Sequence, residues 1–346
     1  MWFSRHNFSK REIKKIKTLR LHASNDLRFH DEPVPVPGMG EVILHVKAVG
    51  ICGSDLHWYQ EGNIGDTRLE HPLVLGHEFA AITETGERVA VEPSISCDHC
   101  EYCLRGDPNL CENLIFAGHG IHDGALRQQM VWPQRCLFPI PDRLSYADGV
   151  MLEPLGVAMH AVNLGKLQVG MRVGVFGTGP IGLLIVQLAR LRGAKMIIVT
   201  DKLSHRLEAA RSLGASKAIL VETETNTNEV TAATGGHGLD VAFEVAGENE
   251  AVEAAITSVR PGGRVVLAGI PEDDRTSFSA STARRKGLTL VLIRRMKHIY
   301  PSAIQLVESG QVDVRSLVTH TFPFEQTTEA FSVAARREGL KVVVLL

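Results

Sequence analysis

The chain has 346 residues, 44% of them hydrophobic and 22% charged, a composition that suits two soluble globular domains with cores of their own. A formal net charge of -2, with acids and bases interspersed, excludes the basic footprint of a nucleic-acid binder. The most apolar stretch, residues 182–191, is shorter than the roughly 20 residues of a spanning helix and contains Gln187 and Arg190, so membrane insertion is not expected and small-molecule chemistry is.

Residues 1–17 carry Arg5, Lys10, Arg11, Lys14, Lys15 and Lys17 against one acid, Glu12. A basic, acid-poor leader suits an organelle-targeting arm, but a disordered extension or an upstream start codon chosen in error is the plainer reading. The extension is the reading taken, with globular sequence expected from residue 18. Residues 18–22 and 42–49, separated by Pro33, Pro35 and Pro37, predict strands of an irregular β-rich domain. His22, His30 and His45 alternate with apolar neighbours and are expected on solvent faces, not as ligands.

Gly50-Ile51-Cys52-Gly53-Ser54-Asp55-Leu56-His57 is answered by Gly76-His77-Glu78. Cys52, His77 and Glu78 offer a thiolate, an imidazole and a carboxylate, a mixed set that suits Zn²⁺ and leaves the open fourth position of a catalytic site. Taken singly, each has a plainer reading: Cys52 as a small buried hydrophobe and His77 as a hydrogen-bonded core histidine.

Cys97, Cys100, Cys103 and Cys111 crowd into one short segment with Asp98, Gly106, Asp107 and Pro108 between them. Such clustering, with no secretory signal, reads as thiolate metal chemistry in a reducing compartment, predicted to be the cytoplasm. Four thiolates close a tetrahedron, which predicts a structural zinc; an iron–sulfur cluster and redox-active thiols are the alternatives. His99, inside the loop, is read as a bystander.

Near residue 155 the pattern changes. Apolar strands at 172–176, 196–200, 216–221, 241–245, 264–268 and 288–293 alternate with helix-like stretches, which predicts a doubly wound parallel sheet covered on both faces. After Arg295 a helix at 301–309, the segment 317–320, a helix near 325–337 and a terminal strand at 341–346 are expected to return to the first domain. Gly177-Thr178-Gly179-Pro180-Ile181-Gly182 joins a strand to a helix with the glycine spacing that admits a pyrophosphate at the helix N-terminus. Asp201 ends the following strand at the interval expected for a ribose-binding acid, which predicts NAD over NADP even with Arg206 near the adenine ribose.

Together, these segments resemble the zinc-dependent medium-chain dehydrogenases of the alcohol dehydrogenase superfamily, and within them the polyol branch of sorbitol, xylitol and arabinitol dehydrogenases. The resemblance runs from Lys17 to the C-terminus and also draws on Leu152-Glu153-Pro154-Leu155 and on Leu317-Val318-Thr319-His320 with Phe322-Pro323. It implies a discontinuous GroES-like catalytic domain at 18–155 and 296–346, carrying the zinc lobe at 97–111, around a Rossmann domain at 156–295. It further implies two zincs per chain and NAD-dependent oxidation of a polyol secondary alcohol to a ketose. L-threonine, butanediol and simple alcohols are the alternative substrates, and a dinucleotide-sensing structural protein is the non-enzyme alternative.

By the same resemblance, Cys52, His77 and Glu78 match the catalytic zinc ligands, Glu153 a nearby carboxylate that can exchange into the zinc shell, and Asp55 an acid that orients the histidine. Ser54 matches the hydroxyl that takes the substrate proton and passes it through the nicotinamide ribose to His57. Arg295 matches a basic residue aimed at substrate hydroxyls, with Trp58 and Phe116 as apolar wall; Arg294 beside it is not separable by sequence. A short connection after Glu78, and Ala81 in place of a common glycine, depart from the family pattern and put loop geometry in question. The four-cysteine lobe, absent from the human sorbitol enzyme type, resembles the two-zinc bacterial and fungal type. A homotetramer is implied, with a dimer second, paired through edge strands near residues 288–293.

Overall fold

The computed structural model describes residues 14–221 and 227–346. Most of the basic segment read as an extension, residues 1–13, lies outside them. The globular part starts earlier than residue 18: the strand Lys15–Ala23 includes Lys15, Ile16 and Lys17 and pairs antiparallel with Asp26–Pro33. Burial of Ile16 gives those first positions an inward face. On this hairpin His22 and His30 stack on each other, ring centroids 5.0 Å apart, each partly buried against the other.

The first domain is built on a seven-stranded sheet. Glu41–Gly50 lies at its centre, flanked by Glu78–Thr83 on one side and by the C-terminal strand Lys341–Leu345 on the other. Val318–Pro323 extends the sheet beyond the C-terminal strand. The tail of the chain therefore returns to the N-terminal domain and puts its last strand next to the segment that ends at Cys52.

The second domain is a six-stranded parallel sheet in the order Lys217–Leu220, Met196–Asp201, Arg172–Phe176, Leu239–Glu244, Val259–Leu267, Thr289–Leu292. Alternate residues feed two cores: Val173, Val175 and Val199 pack on one face, and Phe176, Ile198 and Ala242 on the other. This is the period-two pattern of a sheet covered on both sides. The strand order reverses at Arg172–Phe176, which opens a crevice at the carboxyl ends of the strands where ligands of such sheets bind. The doubly wound domain and the β-rich GroES-like domain are thus both present.

The helix Leu152–Leu164 joins the two domains and packs against the helix Tyr300–Glu308. A side chain at Gly156 would strike Met296, so the joint is close-packed. Glu153, in the first turn of this helix, is buried. Among the described residues no helix is long and apolar enough to cross a membrane.

Candidate active site

Cys52 sits immediately before the helix Gly53–Glu61, and the carboxylate of Asp55 reaches back to accept its backbone N–H at 2.9 Å. The same carboxylate accepts the N–H of Gly76 at 3.1 Å and stands 3.4 Å from Nδ1 of His77. One buried acid thus ties the two ligand-bearing segments together. Burial opposes the charge of Asp55, but His77 and these amides outweigh it and hold the carboxyl below its ordinary range. Burial likewise favours a neutral His77, yet Asp55 and Cys52 raise its pKa well above the usual value. A carboxylate behind an imidazole fixes the ring and strengthens it as a ligand.

The ligand atoms of Cys52, His77 and Glu78 all lie within 4.8 Å of one another. This spacing, with one soft and two harder donors, fits zinc. The short connection after Glu78 and the presence of Ala81 do not disturb it: Glu78–Thr83 pairs regularly with Arg88–Val91. Glu153 makes no hydrogen bond to a described residue, and burial, with Glu78 and Glu92 nearby, pushes its pKa up to about 8.

Ser54 Oγ lies 3.4 Å from Nε2 of His77, and His57 follows one turn along the same helix. His57 is partly buried and its Nδ1 pairs with Glu61 at 2.9 Å. Glu61 escaped the sequence reading, although its spacing of four from His57 was the available signal.

Phe116 is where the candidate metal ligands meet the second domain. Its ring centroid is 5.2 Å from that of His77, and the Arg295 guanidinium covers it at 3.6 Å. Arg295 has a positive φ of 52°. Burial and the neighbouring Arg294 push its pKa down to about 10, against Glu153 and Glu92. Arg294 turns the other way and exchanges hydrogen bonds with Asn109 of the cysteine lobe. Trp58, expected as pocket wall, is 1% exposed and packs in the core of the first domain, with its ring in an edge-to-face contact with His119. His119 and Glu92 also border the site and carried no recognisable signal in the sequence.

The four sulfurs of Cys97, Cys100, Cys103 and Cys111 form a second cluster within the same 4.8 Å limit. Backbone N–H groups of Cys97 and Cys100 point at Cys111 and Cys97 sulfurs, each at 3.3 Å. The exposed His99 contributes no ligand; its ring nitrogen meets the Cys97 carbonyl. Lys297 anchors the lobe through Asp107 at 2.5 Å.

In the second domain, Gly177 takes a φ of +100°, which a side chain would strain, and a Cβ at Gly182 would strike the Gly177 carbonyl. The space over Gly179 is open, with the Arg206 guanidinium 3.6 Å from where a Cβ would stand. Pro180 and Ile181 begin the helix Pro180–Leu191, whose free N–H groups suit an anionic phosphate. Asp201 accepts from Thr178 N–H at 2.6 Å and Leu203 N–H at 2.9 Å, which presents its carboxylate beside the loop. Arg206 is partly buried, and its Nε has no hydrogen-bond partner among the described residues.

Residues 38–142 match the alcohol dehydrogenase GroES-like domain model, and residues 180–309 match the zinc-binding dehydrogenase model. The chain is 38% identical to a sorbitol dehydrogenase of Bacillus subtilis over 96% of its length and 97% of the relative's. It is 35% identical to an L-idonate 5-dehydrogenase of Vitis vinifera, covering 93% of this chain and 90% of that one. Among solved structures, an alcohol dehydrogenase of Escherichia coli CFT073 complexed with NADH superposes with a TM-score of 0.88 at 31% identity, over 96% of this chain and 100% of the other. Zinc and a nicotinamide cofactor are therefore the groups that this family membership supports. The chain belongs to the zinc-binding dehydrogenases of the alcohol dehydrogenase superfamily and is an oxidoreductase acting on CH–OH donors.

Proposed function

We propose that this protein oxidises a secondary alcohol of a polyol to a ketose, using NAD and a zinc held by Cys52, His77 and Glu78. The observation that carries the reading is the convergence of these three ligand atoms within 4.8 Å, one aromatic ring away from the partly buried cation of Arg295. When bound, zinc supplies Lewis-acid polarisation of a hydroxyl oxygen and the nicotinamide accepts a hydride.

The chain supplies the rest. Asp55 orients His77, Ser54 takes the hydroxyl proton, and His57, paired with Glu61, passes it to solvent. Arg295 and Glu153 offer a cation and a carboxyl group as polar partners to the hydroxyls flanking the reacting carbon, with Phe116 as apolar wall; a polyol needs such fixed polar groups in an otherwise apolar cleft. The names of the relatives that oxidise sorbitol and L-idonate support this substrate class.

NAD over NADP follows from Asp201, whose negative charge opposes a 2′-phosphate. A second zinc at Cys97, Cys100, Cys103 and Cys111 stabilises the lobe that docks on Lys297. The six free cysteines suit a reducing, cytoplasmic setting. The edge strand Thr289–Leu292, with Leu292 exposed, suits pairing with a second copy, as a homotetramer or, second, a dimer.

The deciding experiment is steady-state kinetics with sorbitol, xylitol, ribitol, arabinitol, galactitol, L-threonine and butanediol, each with NAD⁺ and NADP⁺. The highest kcat/KM is expected for a polyol with NAD⁺. A clear preference for threonine or butanediol would replace the substrate class and leave the chemistry.

A further inference from the structure

The central sheet puts a lysine against the candidate metal site from the far end of the chain. Gly50 is the cross-strand partner of Glu78 on one side and of Val343 on the other. Directly opposed residues share a face of a sheet, and Lys341, two positions before Val343, projects to that same face. Gly50 has no side chain to fill the space, and a Cβ there would collide with Oε2 of Glu78. Glu78 and Lys341 therefore meet over the glycine as a buried ion pair, their side chains 1% and 3% exposed. The ammonium also donates to the carbonyl of Ile51, next to Cys52, at 3.1 Å.

A fully buried ammonium is costly unless its partner requires it, and an apolar side chain of the same length would fill this space at lower cost. Here the partner is a proposed metal ligand. A carboxylate engaged by an ammonium through one oxygen has the other left for a metal. A fixed positive charge beside it weakens the hold on a cation. Glu153, the other buried carboxylate near His77, has no hydrogen-bond partner among the described residues and is free to respond.

We propose that Lys341 is a positioning residue that keeps Glu78 a weakened, exchangeable metal ligand, so that Glu153 can replace it in the metal shell. The inference rests on the reading that Cys52, His77 and Glu78 hold the catalytic zinc. It extends that reading by assigning the C-terminal strand a part in the site.

The test compares wild type, Lys341→Met and Lys341→Arg, each loaded with zinc and, separately, with cobalt(II) at the catalytic position. The readouts are the rate of metal release into excess chelator and the visible spectrum of the cobalt form; retention of metal by the four-cysteine lobe checks the fold. With the like charge gone from beside the cation, Lys341→Met is expected to release the catalytic metal about tenfold more slowly, with shifted cobalt bands. Lys341→Arg keeps the charge and is expected to stay within about twofold of wild type with an unchanged spectrum.

A lysine with only a structural role predicts the opposite sign, faster release from Lys341→Met. That result, or an unchanged rate and spectrum, overturns the proposal. If Lys341→Met does not fold, Lys341→Gln is held to the same criteria, and an arginine variant that departs from wild type also counts against it. A wild-type protein that binds metal only at the cysteine lobe would instead sink the underlying reading of the site.

Discussion

Asp55 Oδ1 stands 3.4 Å from Nδ1 of His77, and the same carboxylate holds the N–H groups of Cys52 and Gly76. A single side chain thus sets the separation of two candidate ligands that lie 25 residues apart in sequence. Asp55→Asn keeps the size and loses the charge, and its amide must present an N–H to one of the two donors. Catalytic zinc affinity is expected to fall by about 10–100-fold, read from zinc retained against a chelator. Retention equal to wild type would show that Asp55 is not the orienting acid.

Gly50 is the gap through which Glu78 and Lys341 meet. Gly50→Ala places a methyl group on the Glu78 carboxylate and on Val150. Overpacking of this kind costs about 1–3 kcal/mol, and here the cheapest relief is displacement of the carboxylate. The variant is expected to lose metal at the catalytic position while the cysteine lobe keeps its own, measured by metal analysis of the folded protein.

Asp201 presents its negative charge beside the phosphate loop while holding Thr178 and Leu203. Asp201→Asn retains most of that geometry without the charge. The ratio of kcat/KM for NAD⁺ over NADP⁺ is expected to drop by roughly tenfold, equivalent to about 1.4 kcal/mol. An unchanged ratio would assign the discrimination elsewhere, with Arg206 the first residue to examine.

Ser54 offers a hydroxyl 3.4 Å from His77, with His57 and Glu61 beyond it on the same helix. Positioned proton transfer contributes about 10²–10⁴-fold to rates. Ser54→Ala is therefore expected to lower kcat at neutral pH by at least about tenfold while leaving cofactor affinity near wild type. Retention of most of the wild-type kcat would remove the relay as an essential path.

Burial pushes the pKa of Glu92 up to about 7 against the opposing pull of Ser94 and Arg295. The folded state then holds this proton longer than the unfolded chain, whose carboxyl titrates near 4.5. Between these values folding binds more protons, so the contribution of Glu92 to stability falls as pH rises from about 4.5 to about 7 and is level above. Glu92→Gln is expected to flatten that part of the stability profile, with Tm at pH 8 moving closer to Tm at pH 5 by a few degrees. Parallel wild-type and variant profiles would contradict the assignment.

The alternation of strands and helices after residue 155 is a local pattern, so the parallel sheet and its glycine loop could be read directly; Arg172–Phe176 has the same bounds in sequence and structure. The first strand was less legible, because the basic run before it hides the inward-facing Ile16. The burial of Trp58 was not legible either, because it depends on how the helix Gly53–Glu61 packs on the first domain. Arg294 and Arg295 are chemically identical neighbours. Only the positive φ at Arg295 and the Asn109 contact of Arg294 send them in opposite directions.

By itself the sequence determined the chemistry on offer: a thiolate, imidazole and carboxylate set, a four-thiolate lobe, a phosphate loop and its acid. These are properties of residue type and short spacing, which composition and periodicity carry. Tertiary structure alone decided which groups face one another across long separations. Lys341 meets Glu78 only because the last strand pairs with Glu41–Gly50, and Arg295 meets Phe116 only because the two domains close on a shared helix. Cross-strand register and domain packing are long-range outcomes of burial, and no local stretch of the chain encodes them.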